Sequence, residues 1–135
     1  MLALKPDGRG DVTETHIAWR TRQSAPYVPS PIAVGDYFLA VSDGGIAICL
    51  EAKTGKRQWQ QRLGKGHSAA PVTAGGLVYF VSDLGVTRVV RPGPKFELIA
   101  ENPLGERSYA SPAISRGQIF IRGEKHLFCI GRNDK

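Results

Sequence analysis

Short apolar runs separated by polar turns recur along this chain, and they recur in register. Strongly apolar stretches fall at 37–41 and 77–81, and a third at 118–122 is apolar at its three central residues. Each is preceded by a shorter run that begins after a proline: Pro31, Pro71 and Pro112, spaced 40 and 41 residues apart. A small residue stands before each proline, namely Ser30, Ala70 and Ser111. The segments lack the three-and-four spacing of an amphipathic helix, so their periodicity predicts strands. Aligned, the copies read PIAVGDYFLAVSDGGIAIC, PVTAGGLVYFVSDLGVTRV and PAISRGQIFIRGEKHLFC, the last shorter by one residue at its second turn.

The turns between the runs fit hairpins. Gly35-Asp36, Gly75-Gly76 and Arg116-Gly117 close the first, and residues 42–45, 82–85 and 122–125 the second. Gly and Asp supply the positive φ that tight β-turns require. Third strands are predicted at 46–50, 86–90 and 126–130. The turn Lys53-Thr54-Gly55-Lys56 leads to a fourth strand at 57–62. Four antiparallel strands in roughly 40 residues is the size of one β-propeller blade. Two further positions keep the period. Trp19 and Trp59 are 40 residues apart, with Ile99 in the same place of the next copy, and Cys49, Val89 and Cys129 share another.

The stretch Cys49-Leu50-Glu51-Ala52-Lys53-Thr54-Gly55-Lys56-Arg57-Gln58-Trp59 resembles the tryptophan motif of pyrroloquinoline-quinone-like (PQQ-like) propellers, Ala-x-Asp-x-x-Thr-Gly-x-x-x-Trp. Thr54, Gly55 and Trp59 match it, with Cys49 in place of the Ala and Glu51 in place of the Asp. The resemblance implies an all-β propeller of four-stranded antiparallel blades. It also implies that Trp59, and by spacing Trp19, packs between neighbouring blades. The family includes both quinoprotein alcohol dehydrogenases and the propeller lipoprotein of the outer-membrane assembly machine, so the fold alone does not choose a function. Its members are often periplasmic or in the cell envelope.

On this reading the single propeller segment 1–135 divides into the end of one blade (1–24), a blade (25–63), a second blade (66–104) and the first three strands of a last blade (107–135). That is about three blades' worth, and a ring needs at least four. The open ends expose apolar faces and unpaired strand edges, which invite association. Two closures follow. In one, a homodimer closes a six-bladed ring, each chain donating residues 16–22 to the other's last blade. In the other, the chain is one part of a longer propeller. A protein partner is the third expected occupant of such edges.

Composition changes this picture little. The net charge of +6 is spread over turns rather than clustered with aromatics on one element, which argues against a nucleic-acid partner. No apolar run approaches the roughly 18 residues of a membrane span, so membrane insertion is not expected. The N-terminal apolar stretch, cut off by Pro6, is too short for an export signal.

The chemistry-bearing residues read as structural. Cys49 and Cys129 fall two blades apart, beyond disulfide reach, and are expected to be buried strand cysteines. His16, His67 and His126 have no second ligand at metal spacing and are expected at surfaces and turns. Asp43 and Asp83 occupy equivalent second turns, where capping is the expected role. No off-pattern Asp/Asn/Glu cluster suits the Ca²⁺ and quinone of a dehydrogenase. Hence no catalytic, cofactor-binding or metal-binding residue is assigned, and no cofactor. The non-repeating loops at residues 6–15, 20–27 and 91–95 are the places to look for a partner. The expected function is a non-catalytic scaffold or binding module, with a fragment of a PQQ-dependent quinoprotein dehydrogenase as the alternative.

Overall fold

β-Branched and aromatic residues bounded by glycine turns build most of the regular elements of this protein. A computed structural model describes residues 1–131. Among these the elements are β1 (Leu2–Leu4), β2 (Ile17–Arg20), β3 (Ile32–Val34), β4 (Tyr37–Val41), β5 (Ile46–Glu51), β6 (Arg57–Arg62), β7 (Val72–Ala74), β8 (Leu77–Val81), β9 (Val86–Arg91), β10 (Glu97–Pro103), β11 (Ala113–Ser115), β12 (Gln118–Arg122) and β13 (Leu127–Ile130). No helix occurs among them, and none long and apolar enough to cross a membrane.

The strands form antiparallel sheets in chain order: β1-β2, β3-β4-β5-β6, β7-β8-β9-β10 and β11-β12-β13. They are successive propeller blades, and the ring is not closed. The largest apolar core lies between the two four-stranded blades. Leu39, Val41, Ala47, Cys49, Trp59 and Leu63 of the first meet Val78, Phe80 and Val90 of the second. Alternation along each strand explains why both faces are apolar. Leu39 and Val41 point forward to the next blade, while Phe38 and Ala40 point back to the β1–β2 ribbon. A smaller core of Ala69, Val81 and Ile121 joins the second blade to the third.

The fourth strands share a bulge, and one extra residue ahead of it in the second complete blade moves a repeat position. Cys49 faces Trp59 and Leu50 faces Arg57, so Gln58 is the extra residue; Ala3 faces Trp19 and Leu4 faces Ile17, so Ala18 is. In the next blade Val89 faces Ala100 and Val90 faces Leu98, which leaves Ile99 in the bulge. Ala100, not Ile99, therefore occupies the tryptophan position, and Ile99 stays 41% exposed. This corrects the equivalence read from a constant spacing of 40.

Candidate functional site

Each tryptophan is held by the blade that follows its own. The Trp19 indole N–H donates to Ala52 O at 2.8 Å, and its ring meets Phe38 edge-on with centroids 5.5 Å apart. A Cβ on Gly55 would come within 2.6 Å of that ring, so the Thr-Gly turn of the motif needs its glycine for close approach. Trp59 repeats the arrangement one blade on. Its N–H donates to Gly93 O at 3.1 Å and its ring meets Phe96 at 5.2 Å. The loop at 91–95 is thus the seat of a tryptophan. Cys49 adds its thiol to the same Gly93 carbonyl at 3.7 Å, and burial pushes that thiol up to about 11. It is a packed, unreactive group at neutral pH.

At the opposite end of the blades, connectors between successive blades lie against the second turns. His67 N donates to Asp43 O, Asp83 N to Gly66 O, Ser108 N to Asp83 O and Glu124 N to Arg107 O. Side-chain carboxylates clamp the same layer. Asp43 accepts from Tyr27 N and Val28 N at 2.8 and 3.1 Å, and Asp83 accepts from Ser68 N at 2.8 Å. The Tyr27 amide, first among these, holds the Asp43 carboxyl below its ordinary value. The aspartates therefore tie blade to connector. Capping of the turns falls to Ser42 and Ser82, whose hydroxyls accept from Ile46 N and Val86 N. In the third blade the polarity reverses. Glu106, on the connector, accepts from Lys125 N and His126 N on the turn, and meets the His126 ring at 3.0 Å. That ring, more than any other contact, lowers the Glu106 carboxyl.

His67 belongs to this layer and is not a surface histidine. It is 2% exposed, beneath the Gly45 turn, and neither ring nitrogen has a hydrogen-bond partner. Its burial was hidden from the sequence because the cover comes from two different blades. Burial lowers its pKa, the Asp83 charge works against that, and Arg88 adds to it. Arg88 is itself paired with Glu101 across β9 and β10 at 2.8 Å. His16 directly follows the 6–15 loop and touches it, with Thr15 Oγ1 at 2.6 Å and Asp7 at 3.6 Å. His126 is exposed beside Phe128. Three histidines thus stand at three separate places, and no group of three or more metal-ligating side chains occurs among the described residues.

The interaction surface is where the repeat stops being covered. Tyr27, His67 and Ser108 occupy one repeat position; His67 and Ser108 are buried, whereas Tyr27 is 96% exposed. No second turn of a preceding blade lies over it, because the β1–β2 ribbon supplies only two strands of that blade. At the other end, Leu127 is repeat-equivalent to the fully buried Ala47, yet it is 67% exposed. Cys129, expected to be buried, is exposed beside it, since neither a further blade nor a fourth strand covers β13 among the described residues. Both cysteines are free thiols. Ile130 is also exposed and lines a cleft of about 270 Å³ between the second and third blades, with Tyr79, Thr87, Val89, Leu104, Ile119 and Ile121. The Thr87 hydroxyl, buried in this cleft, has no partner.

The three loops singled out by sequence do not converge. Residues 6–15 and 91–95 lie at the tryptophan-seat end, whereas 20–27 runs to the connector end and carries Tyr27. Leu127 and Glu106 carried no signal of their own. The shortened second turn of the third copy was the one hint that this blade is held differently.

Comparison with known proteins agrees with this architecture. The chain matches the family model described as "Outer membrane protein assembly factor BamB" over residues 10–92, more than half its length. No curated protein matches it. Among solved structures, the crystal structure of BamB from Moraxella catarrhalis superimposes with a TM-score of 0.60 at 14% identity, covering 72% of this chain and 29% of that one. At that identity the likeness is one of fold, and the chain spans under a third of that protein's length. With its repeated four-stranded antiparallel blades and the match across the blade that bears Trp59, this chain belongs to the PQQ-like β-propeller family of the outer membrane protein assembly factor BamB.

Proposed function

We propose that this chain is a non-catalytic propeller scaffold that binds polypeptide along its open blade edges, in the cell envelope. One observation carries the reading: side chains at repeat positions that are buried inside the molecule are exposed at its two ends, Tyr27 ahead of the first complete blade and Leu127 on β13, which has no fourth strand beside it among the described residues. An unpaired strand edge flanked by apolar side chains accepts an added strand through main-chain hydrogen bonds. The family description, an outer membrane protein assembly factor, supports a role in protein contact and a place in the envelope. The carboxylates of the connector layer, Asp43, Asp83 and Glu106, are engaged in tying blades to connectors, which supports a structural role for them.

Two measurements test this. A labelled peptide of residues 55–63, which carries the fourth strand of the first complete blade, is expected at millimolar excess to bind saturably and to protect the β13 amides from exchange. Absence of binding by a chain whose mass in solution is that of one copy overturns the edge reading. Incubation with pyrroloquinoline quinone and Ca²⁺ followed by desalting is expected to leave no quinone absorbance. Stoichiometric retention would overturn the non-catalytic reading in favour of a quinoprotein fragment.

A further inference from the structure

The register of the end strands identifies what fits the open edges. Ala3 stands opposite Trp19 as Cys49 stands opposite Trp59. In the last blade Cys129 stands opposite Phe120 as Cys49 stands opposite Leu39. β1 and β13 are therefore the same element of the repeat, the third strand of a blade. β1 is paired with a fourth strand, β2, and with no first or second strand among the described residues. β13 has the first two and lacks a fourth among the described residues.

β1 is a poor holder of β2. It offers three paired residues, interrupted by a bulge, and leaves Leu2 and Leu4 half exposed. β2 is fixed chiefly by its own next blade, through the Trp19 indole on Ala52 O and the ring against Phe38. A β13 strand from elsewhere can take the place of β1 without moving β2. In the repeat's register Phe128 then faces Arg20, Cys129 faces Trp19 and Ile130 faces Ile17. Ile17 closes over Ile130, at the mouth of the cleft between the second and third blades. The incoming blade also lays its uncovered side, Phe120 and Leu127, on the back of the first complete blade, where Phe38, Ala40 and Ile48 wait behind β1. Its 122–125 turn covers Tyr27 as residues 42–45 cover His67.

We propose that the occupant is a second copy of this chain: β13 of each copy displaces β1 from β2 of the other, closing a six-bladed ring with two-fold symmetry. The two ends are complementary to one another in register and side-chain parity, so a head-to-tail pair satisfies both at once, and three blades' worth per copy makes a closed ring. The proposal rests on the edge-binding reading above and names its partner.

The test is the mass of the 135-residue chain in solution by light scattering at micromolar concentration. Twice 14.6 kDa is expected. A mass of one chain, or an open-ended series of masses, overturns the exchange. Leu127→Glu and Tyr27→Glu alter exposed side chains and leave each copy folded. Each is expected to return the mass to one chain while the strand circular dichroism is kept, and a persisting pair in both variants overturns the proposed contact. The peptide of residues 55–63 separates this inference from the reading beneath it. A chain of single mass that binds the peptide removes the second copy and leaves edge binding intact, whereas one that binds nothing removes both.

Discussion

Between the two complete blades, Trp59 reaches across to the Gly93 carbonyl and the Phe96 ring, and the core around it is closed. Between the second complete blade and the third, Ala100 stands at that position, a cleft of about 270 Å³ remains, and a buried threonine hydroxyl in it lacks a partner. The two junctions come from one repeat, and the tryptophan and its seat on the following blade are present at the first and missing at the second. A propeller blade is thus secured mainly by what its neighbour inserts, and an open end is an end where that insertion is missing.

The largest effect should follow from making the closed junction like the open one. Trp59→Ala removes a buried indole and its hydrogen bond, and is expected to cost about 3–5 kcal/mol in urea unfolding. Ile121→Ala at the second junction is expected to cost about 2 kcal/mol, near the lower limit for such truncations, because the cleft lets its surroundings relax. Equal costs would break the comparison. Hydrogen exchange gives the same contrast without mutation: amides of β12 should open at lower free energy than those of β8.

How much of this was legible in the sequence follows from the same physics. The runs at 37–41, 77–81 and 118–122 coincide with β4, β8 and β12, because alternation and glycine turns are local signals. That Trp59 packs between blades was legible through the motif, but that its seat is the 91–95 loop was not. The extra residue between β9 and β10 carried no such signal: it moves the core-facing position one place along the strand, and spacing alone put Ile99 where Ala100 stands. Nor were the burial of His67 and the exposure of Cys129 legible, since each depends on a blade elsewhere in the chain.

A second way to sharpen the contrast is to improve the weaker junction. Thr87→Val keeps the shape of the side chain and removes the unpartnered hydroxyl. It is expected to stabilise by about 1 kcal/mol, seen as a higher urea midpoint at unchanged m-value. No gain would mean that the hydroxyl is not a cost at this junction. A smaller gain is expected in the first turn of the third blade. Arg116 there has a φ of 49°, where the other two blades carry Gly35 and Gly75. Arg116→Gly should relieve left-handed strain of about 1 kcal/mol, offset in part by glycine's greater freedom in the unfolded chain. The net expectation is a few tenths of a kcal/mol, read in thermal unfolding, and a loss of stability would show that the turn holds no strain.

The smallest difference is one of pH. His67, at the closed junction, is held below the ordinary histidine value of 6.5, chiefly by burial. The unfolded chain therefore binds a proton that the folded chain resists. Its contribution to stability is complete above pH 6.5 and is lost as pH falls from there through the lowered folded value. Glu106, at the open junction, is held below the ordinary 4.5 by the His126 ring, so its contribution is complete above pH 4.5 and is lost only below it. Between pH 6.5 and 4.5 the closed junction should weaken while the carboxylate clasp at the open one persists. Urea midpoints across that interval should fall in the native chain and fall less in His67→Gln, which removes the titrating ring. Glu106→Gln should leave the slope in that interval unchanged and flatten the profile only at more acid pH. If His67→Gln leaves the slope as it was, the histidine is not what ties the closed junction to pH.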